Sequence, residues 1–398
     1  MEELLLFQSN LLSQINNRWR RYLFPSLKTN ERLLGLKGLR GVGKTTLLLQ
    51  YLAFDYGAKE KGLYVTADHP FFYTSSLFDL AAQWYSYGGE LLLIDEVHKY
   101  RDWSRELKLI YDGHPKMRVM FASFSALDLY RGESDLSRRL ITQTLHGLSF
   151  REYLAFKHDL NFPSISFREI LHNQRKWIPG LTSRFKPLPL FKKYLKEGYF
   201  PFARDVDENT VIPRLLQIIN TVLESDLSFI ENYTASNITK IKKLLGVIAA
   251  SAPVEPNISK IAERLQLGRN TVNMYLKHLS DGCILNLLHK LGRGMSLLQK
   301  PDKIYFENAS FAYAMQSNPN MGTIRETFFI NQLKNAGHEV NLSDVGDFWV
   351  DGQWVFEVGG KNKTQSKMKG VENSYLALDD IETGFGNKIP LWLFGFLY

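Results

Sequence analysis

Short strand-like runs recur along the first part of the chain: Leu33 to Leu36, Gly62 to Thr66, Leu91 to Ile94, Arg118 to Ala122 and Ile141 to Leu145. None shows the strict alternation of a half-solvated strand, so the pattern predicts strands buried on both faces. Helical patterns separate them, the first from Thr46 to Leu52, which implies a parallel sheet covered by helices on either side. After residue 149 the pattern changes. Helical segments alternate with turns at Pro163, Pro179, Pro187, Pro189 and Pro201 as far as about residue 235, the expected place for a helical lid or linker.

A third pattern occupies residues 236–300. Asn257-Ile258-Ser259 opens a short helix, Lys260 to Leu265. Gln266-Leu267-Gly268 makes a tight turn, and a second helix runs from Arg269 to Ser280. Ile261, Ala262, Leu265, Val272, Leu276 and Leu279 keep helical spacing across the turn, as in a helix-turn-helix. Asp281-Gly282 then turns into an apolar run, Ile284 to Leu288, with Arg293-Gly294 as the tip of a wing. Residues 301–398 hold Lys303 to Phe306, a helix around Gly322 to Lys334, and short strands at Asp347 to Val350 and Trp354 to Val358. The expected fold class is α/β, with domains at 1–148, 149–235, 236–300 and 301–398.

Composition narrows this only modestly. Apolar residues at 44% and charged residues at 23% are those of a globular chain, and 398 residues exceed one ordinary core. Cys283 is the only cysteine, so no intramolecular disulfide forms and a reducing compartment suits the chain. Met1-Glu2-Glu3 is acidic where a signal peptide is basic, and no apolar run approaches a membrane span, so the expected location is cytoplasmic and no membrane partner is expected. Charge is uneven. Residues 161–300 carry 20 Lys and Arg against 11 Asp and Glu, whereas residues 301–398 carry 8 against 12. The basic block fits either a nucleic-acid partner or a solvated surface.

Candidate chemistry concentrates at Gly38-Leu39-Arg40-Gly41-Val42-Gly43-Lys44-Thr45, followed by Thr46. Its spacing, G-x-x-x-x-G-K-[ST] between a strand and a helix, is that of a phosphate cradle. Glycines allow the loop N–H groups to point inward, and the helix N-terminus adds its positive dipole end. Lys44 would reach the β- and γ-phosphates, Thr45 would hold Mg²⁺, and Arg40 could touch phosphate from within the loop. Some fifty residues on, Leu91 to Ile94 end in Asp95-Glu96. Asp95 would support the metal and Glu96 would polarise the attacking water. Ser123 or Ser125, at the next strand tip, could orient that water or merely cap a helix. Arg138 and Arg139 could act as a finger on a neighbouring subunit, which would make the chain oligomeric, or form ordinary salt bridges.

Taken together, Gly38 to Thr45, Asp95-Glu96-Val97-His98-Lys99-Tyr100, Asp102-Trp103, Lys108, Ser123, Arg138-Arg139 and Leu148-Ser149-Phe150-Arg151-Glu152-Tyr153 resemble a prokaryotic family. It comprises predicted AAA+ ATPases that join an AAA-type domain to a C-terminal domain of unknown function, the AAA_14/DUF4143 architecture. Glu197-Gly198-Tyr199-Phe200-Pro201 is similar to its GGFP turn with one glycine replaced. The resemblance implies ATP binding and hydrolysis. In the tail, Glu326 on a helix, then Asp347, then Glu357 inside a strand look like a PD-(D/E)xK nuclease core, in which carboxylates hold Mg²⁺ and a lysine activates water. The lysine's place two residues after Glu357 is Gly359, and Lys361 lies two residues further, about 7 Å along a strand. The expectation is therefore a degenerate, restriction-endonuclease-like domain.

The expected function is a Mg²⁺-dependent ATPase acting as a nucleotide-driven switch. Double-stranded DNA is a candidate partner through Arg269, Asn270, Thr271, Asn273 and Lys277 on the second helix of the pair. The alternatives are an ATP-gated nuclease and a nucleotide-dependent scaffold for a protein partner.

Overall fold

The computed structural model describes residues 1–124, 136, 138–227, 233–250, 253, 255–290, 300–364 and 368–398. Ser125, Ser137 and the wing tip Arg293-Gly294 lie outside the described residues. The chain divides into two compact units, one built on Met1–His146 and the other on Gly147–Ser228 with Tyr233–Tyr398.

In the first unit the apolar runs become strands within about one residue of expectation: β1 (Leu33–Lys37), β2 (Gly62–Thr66), β3 (Leu91–Asp95), β4 (Arg118–Ser123) and β5 (Leu140–Thr144). All pair in parallel, in the order β2-β3-β4-β1-β5. Every residue of β3 is buried, which is why its sequence is continuous rather than alternating. The register aligns Lys37 with Ser123 and with Thr144, and Thr66 with Asp95. The polar tips of the strands therefore share one edge. Helix α1 (Glu2–Ser13) covers the outer edge of the sheet: Gln8 Nε2 donates to the Gly62 carbonyl at 3.2 Å, and Gln8 Oε1 accepts from Tyr64 N–H at 2.5 Å. A buried glutamine thus supplies the peptide-like partners that an edge strand lacks. Helices α2 (Lys44–Phe54), α3 (Leu77–Ser86) and α4 (Trp103–Gly113) complete the layers, and Trp103, Leu107 and Ile110 bury the apolar stripe of α4. The result is a parallel α/β sheet with a glycine-rich loop between β1 and α2.

The second unit opens with helices α5 (Phe150–His158), α6 (Phe167–Thr182), α7 (Pro187–Lys193) and α8 (Glu208–Thr221), the stretch expected as lid or linker. Their aromatic positions decide where they pack. Phe167 meets Trp354, Phe356 and Phe394, while Gln174 Nε2 donates to the Gly386 and Lys388 carbonyls at 3.2 and 3.1 Å. Next come α9 (Ala235–Ala249), α10 (Ile258–Leu265) and α11 (Arg269–Asp281), then an antiparallel pair, β6 (Leu285–Leu288) with β7 (Lys303–Phe306). Gln266, the hinge of the α10–α11 turn, sits at φ 53°, in the left-handed region. After α12 (Ala309–Met315) and α13 (Met321–Asn335), a mixed five-stranded sheet closes the chain. It contains β8 (Val340–Leu342), β9 (Phe348–Val350), β10 (Trp354–Gly359), β11 (Ser374–Leu378) and β12 (Lys388–Pro390). β10, β11 and β12 run parallel, whereas β9 is antiparallel to both β10 and β8. Phe329 of α13 fills the core against Phe348, Phe356 and Phe394.

Candidate functional site

Between β1 and α2 the chain turns through a loop that only glycine accommodates at several points. A Cβ on Gly38 would lie 2.3 Å from the Leu145 carbonyl oxygen, and Gly41 and Gly43 adopt φ 84° and 97°. Gly43 is also the N-cap of α2, and no side chain caps that helix. The first turn thus lacks the Ser, Thr or Asp acceptor that caps most helices, and it opens onto the loop. That is the arrangement an anion completes. Val42 is fully buried and anchors the loop, whereas Thr45 and Thr46 are exposed on the first turn.

Asp95 ends β3, next to the strand that carries Tyr64, and is 3% exposed. Thr45 Oγ1 donates to Asp95 Oδ2 at 2.5 Å, and the Tyr64 hydroxyl donates to the same oxygen at 3.0 Å. Burial first, then the Asp95 charge, push the Tyr64 hydroxyl well above its usual pKa, so it stays protonated as a donor. Asp95 Oδ1 accepts from Glu96 N–H at 2.9 Å. Glu96 takes φ 47°, a left-handed conformation, and its carboxylate lies 3.4 Å from Arg40 Nη2 in the loop. Lys44 Nζ donates to the Gly38 and Leu39 carbonyls at 2.7 and 3.2 Å, across the mouth of the cradle. Ser123 is fully buried at the tip of β4, in register with Lys37. These residues fit a Mg²⁺–nucleoside triphosphate: uncapped N–H groups and lysine for the phosphates, hydroxyl and carboxylate for the cation.

Arg139 forms a two-point ion pair with Asp112 of α4, at 2.9 and 3.0 Å, and lies over the Tyr111 ring. Arg138 takes φ 81°. Two residues at the cradle were not anticipated. Arg21 donates to the Val42 carbonyl at 2.5 Å and to the His146 carbonyl at 2.7 Å, tying the loop to the segment after β5. Tyr64 is the other. Its hydroxyl was the one available signal, a polar group inside an otherwise apolar strand; nothing in the spacing marks Arg21.

Elsewhere, the sequence-predicted residues fall into separate groups. On α11, Arg269 and Asn270 are exposed, whereas Thr271, Asn273 and Lys277 are half-buried. Lys277 pairs with Asp281 one turn on. In the tail, Glu326 accepts from the Tyr305 hydroxyl at 2.5 Å and from Lys303 at 3.2 Å. Asp347 Oδ2 accepts from Val358 N–H at 2.8 Å and lies 3.4 Å from Lys363 Nζ, which is also 3.8 Å from Glu357 Oε2. The lysine at this sheet edge is therefore Lys363 rather than Lys361, which is exposed. Among the described residues, no three His, Cys, Asp or Glu side chains are grouped to hold a metal, and no helix is long and apolar enough to cross a membrane.

Residues 30–154 match the model of an AAA domain, AAA_14. Residues 188–321 match a domain of unknown function, DUF8612, in place of the expected DUF4143. Over 318 residues the chain is 27% identical to the uncharacterized protein MJ1637 of Methanocaldococcus jannaschii, covering 74% of this chain and 67% of that one. The Walker-type ATPase PABY2304 of Pyrococcus abyssi aligns at a TM-score of 0.44 and 12% identity, over 76% of this chain and 99% of that one. AMPPCP-bound DnaA from Aquifex aeolicus aligns at a TM-score of 0.28 and 18% identity, over 70% and 88%. At those scores neither alignment speaks to function. The first unit carries an AAA-type P-loop domain.

Proposed function

We propose that the chain is a Mg²⁺-dependent ATP hydrolase whose nucleotide cycle serves as a switch. The observation that carries this reading is the 2.5 Å contact between Thr45 and Asp95, fifty positions apart, beside the uncapped N-terminus of α2. Lys44 exchanges its two carbonyl partners for β- and γ-phosphate oxygens. Thr45 and Asp95 hold Mg²⁺, which when bound neutralises charge on the phosphates. Glu96 orients and polarises the attacking water, and Ser123 fixes that water from the adjacent strand tip. Arg40 restrains Glu96 until a γ-phosphate competes for its guanidinium. Lys44→Ala is expected to abolish nucleotide binding or turnover. Glu96→Gln should keep binding and stop hydrolysis; turnover at the wild-type rate in that variant would remove Glu96 from its role.

Double-stranded DNA is the effector this reading favours. Support comes from the exposed Arg269 and Asn270 at the start of α11, the second helix of a tight helical pair followed by an antiparallel strand pair, in the basic part of the chain. ATP turnover with and without duplex DNA tests it. Stimulation that fades steeply as salt rises supports a DNA-directed switch. Turnover that ignores DNA at low salt points instead to a scaffold for a protein partner.

A further inference from the structure

In the second unit a turn and a helix together hold an aromatic ring out in water. The connection from β11 ends in a turn at the start of β12, where Lys388 N–H donates to the Phe385 carbonyl at 3.0 Å. Gln174 of α6, 4% exposed, donates to the Gly386 and Lys388 carbonyls from beneath. A Cβ on Gly384 would lie 2.2 Å from the Lys388 carbonyl oxygen and 2.3 Å from Gln174 Oε1, and Gly386 takes φ 60°. Glycine on both sides thus fits the tip to its buried glutamine. The side chain this turn presents is Phe385, 72% exposed. A lone exposed apolar residue carries little meaning. This one sits on pinned backbone, and the Arg175 guanidinium lies 4.3 Å from its ring centroid.

Arg175 belongs to the outer side of α6. Phe167, Ile170, Leu171, Gln174 and Ile178 are buried, whereas Arg168, His172, Arg175 and Lys176 are exposed. The one acidic residue of that helix is already occupied: Glu169 accepts from Asn173 Nδ2 at 2.8 Å and from Trp177 Nε1 at 2.9 Å. Among the described residues, Arg168, Arg175, Lys176 and the exposed Lys388 form no ion pair. Lys176 Nζ lies 5.8 Å from the half-buried Trp177 ring. The face therefore combines cations whose counter-charge is left to solvent with an aromatic ring fixed in place.

We propose that this face binds single-stranded nucleic acid, with an unpaired base stacked on Phe385 and phosphates held by Arg168, Arg175, Lys176 and Lys388. An exposed flat ring is matched by a flat partner, and every base has such a face whatever its identity. In a duplex those faces are covered by neighbouring bases, so a double strand would engage the cations alone. Arg168 and Arg175 are seven residues apart, about 10 Å along the helix, which suits a backbone rather than a single phosphate. An acidic polypeptide would match the charge and offer the ring no base to stack. Stacking and phosphate contacts do not read the 2′-hydroxyl, so DNA and RNA strands are equivalent ligands. The face uses no residue of the phosphate cradle and none of α11, so it stands apart from the ATPase and duplex-DNA readings.

The test is fluorescence-anisotropy binding of labelled oligothymidylate and oligouridylate to the full chain across a range of salt, with duplex DNA and polyglutamate as competitors. The two oligomers should bind alike, and both competitors should displace them poorly. Phe385→Ala should weaken binding about tenfold or more, the scale of one lost base stack, and leave the salt dependence unchanged. Arg168→Ala combined with Lys176→Ala should instead flatten the slope of log affinity against log salt by about 1.4, at roughly 0.7 per phosphate contact on a single strand. Phe385→Trp should keep binding, and the indole emission it adds should be quenched by the oligomer. Each variant should retain the wild-type thermal transition, since the substituted side chains are exposed. Wild-type protein that binds neither oligomer at low salt overturns the proposal, as does Phe385→Ala that binds as wild type does. Polyglutamate that competes as well as unlabelled oligomer also overturns it, in favour of an acidic protein partner.

Discussion

Asp95 Oδ2 accepts two hydrogen bonds, from Thr45 at 2.5 Å and from Tyr64 at 3.0 Å, and the two donors differ in what they do. Thr45 belongs to the cradle, while Tyr64 reaches the carboxylate from the neighbouring strand and never leaves its donor role. A neutral donor to a buried carboxylate contributes about 1.5–3 kcal/mol. Tyr64→Phe should therefore loosen Asp95 and raise the Mg²⁺ concentration for half-maximal ATP turnover about tenfold, at roughly 1.4 kcal/mol per decade. Turnover at saturating Mg²⁺ should change much less. An unchanged Mg²⁺ requirement would reduce Tyr64 to packing. At this scale the sequence is most legible where one residue type is forced. Gly38, Gly41, Gly43 and Lys44 reveal the cradle because no other types build it. Tyr64 and Arg21 are hidden, since their partners depend on which strands and segments become neighbours.

The segment from β1 through the loop into α2 works as one piece, and Gly38 is where it touches the rest of the sheet. The Leu145 carbonyl oxygen occupies the place of a Cβ on Gly38, and backbone does not swing aside as the end of a side chain would. Gly38→Ala should push the loop from the end of β5, costing on the order of 3 kcal/mol in urea unfolding. It should also weaken binding of a fluorescent ATP analogue by tenfold or more, on the same energy scale. Gly88→Ala is the control: its φ of 85° is also unfavourable to alanine, but nothing lies near its Cβ, so only the backbone term of about 1 kcal/mol remains. Elements themselves were legible, with all five apolar runs of the first unit becoming strands. Their order, β2-β3-β4-β1-β5, was not, because buried parallel strands look alike in sequence. Lys363 escaped for a related reason: counting along a strand from Glu357 presumes that the strand continues, and the chain turns at Gly360 instead.

Across the whole molecule, the two units hold half-buried titratable groups shifted in opposite senses. In the first unit, burial and then the charges of Arg21 and Lys37 push His146 down to about 4. In the second, burial lifts Glu307 to about 7 against the opposing pull of Lys334 and Asn331. His146 folds neutral, so its contribution is complete above its unfolded value near 6.5 and is lost as pH falls toward 4. Glu307 folds protonated, so its contribution is complete below about 4.5 and is lost as pH rises through 7. Acidification from pH 8 to pH 5 should then weaken the first unit and strengthen the second, each by on the order of 2 kcal/mol. Scanning calorimetry with and without ADP separates the two, because a bound nucleotide raises only the transition of the unit that holds it. The ADP-sensitive transition should fall by several degrees at the lower pH while the other rises. His146→Asn should remove most of the fall. Two transitions that drop together would instead place the response in the surface carboxylates that both units carry.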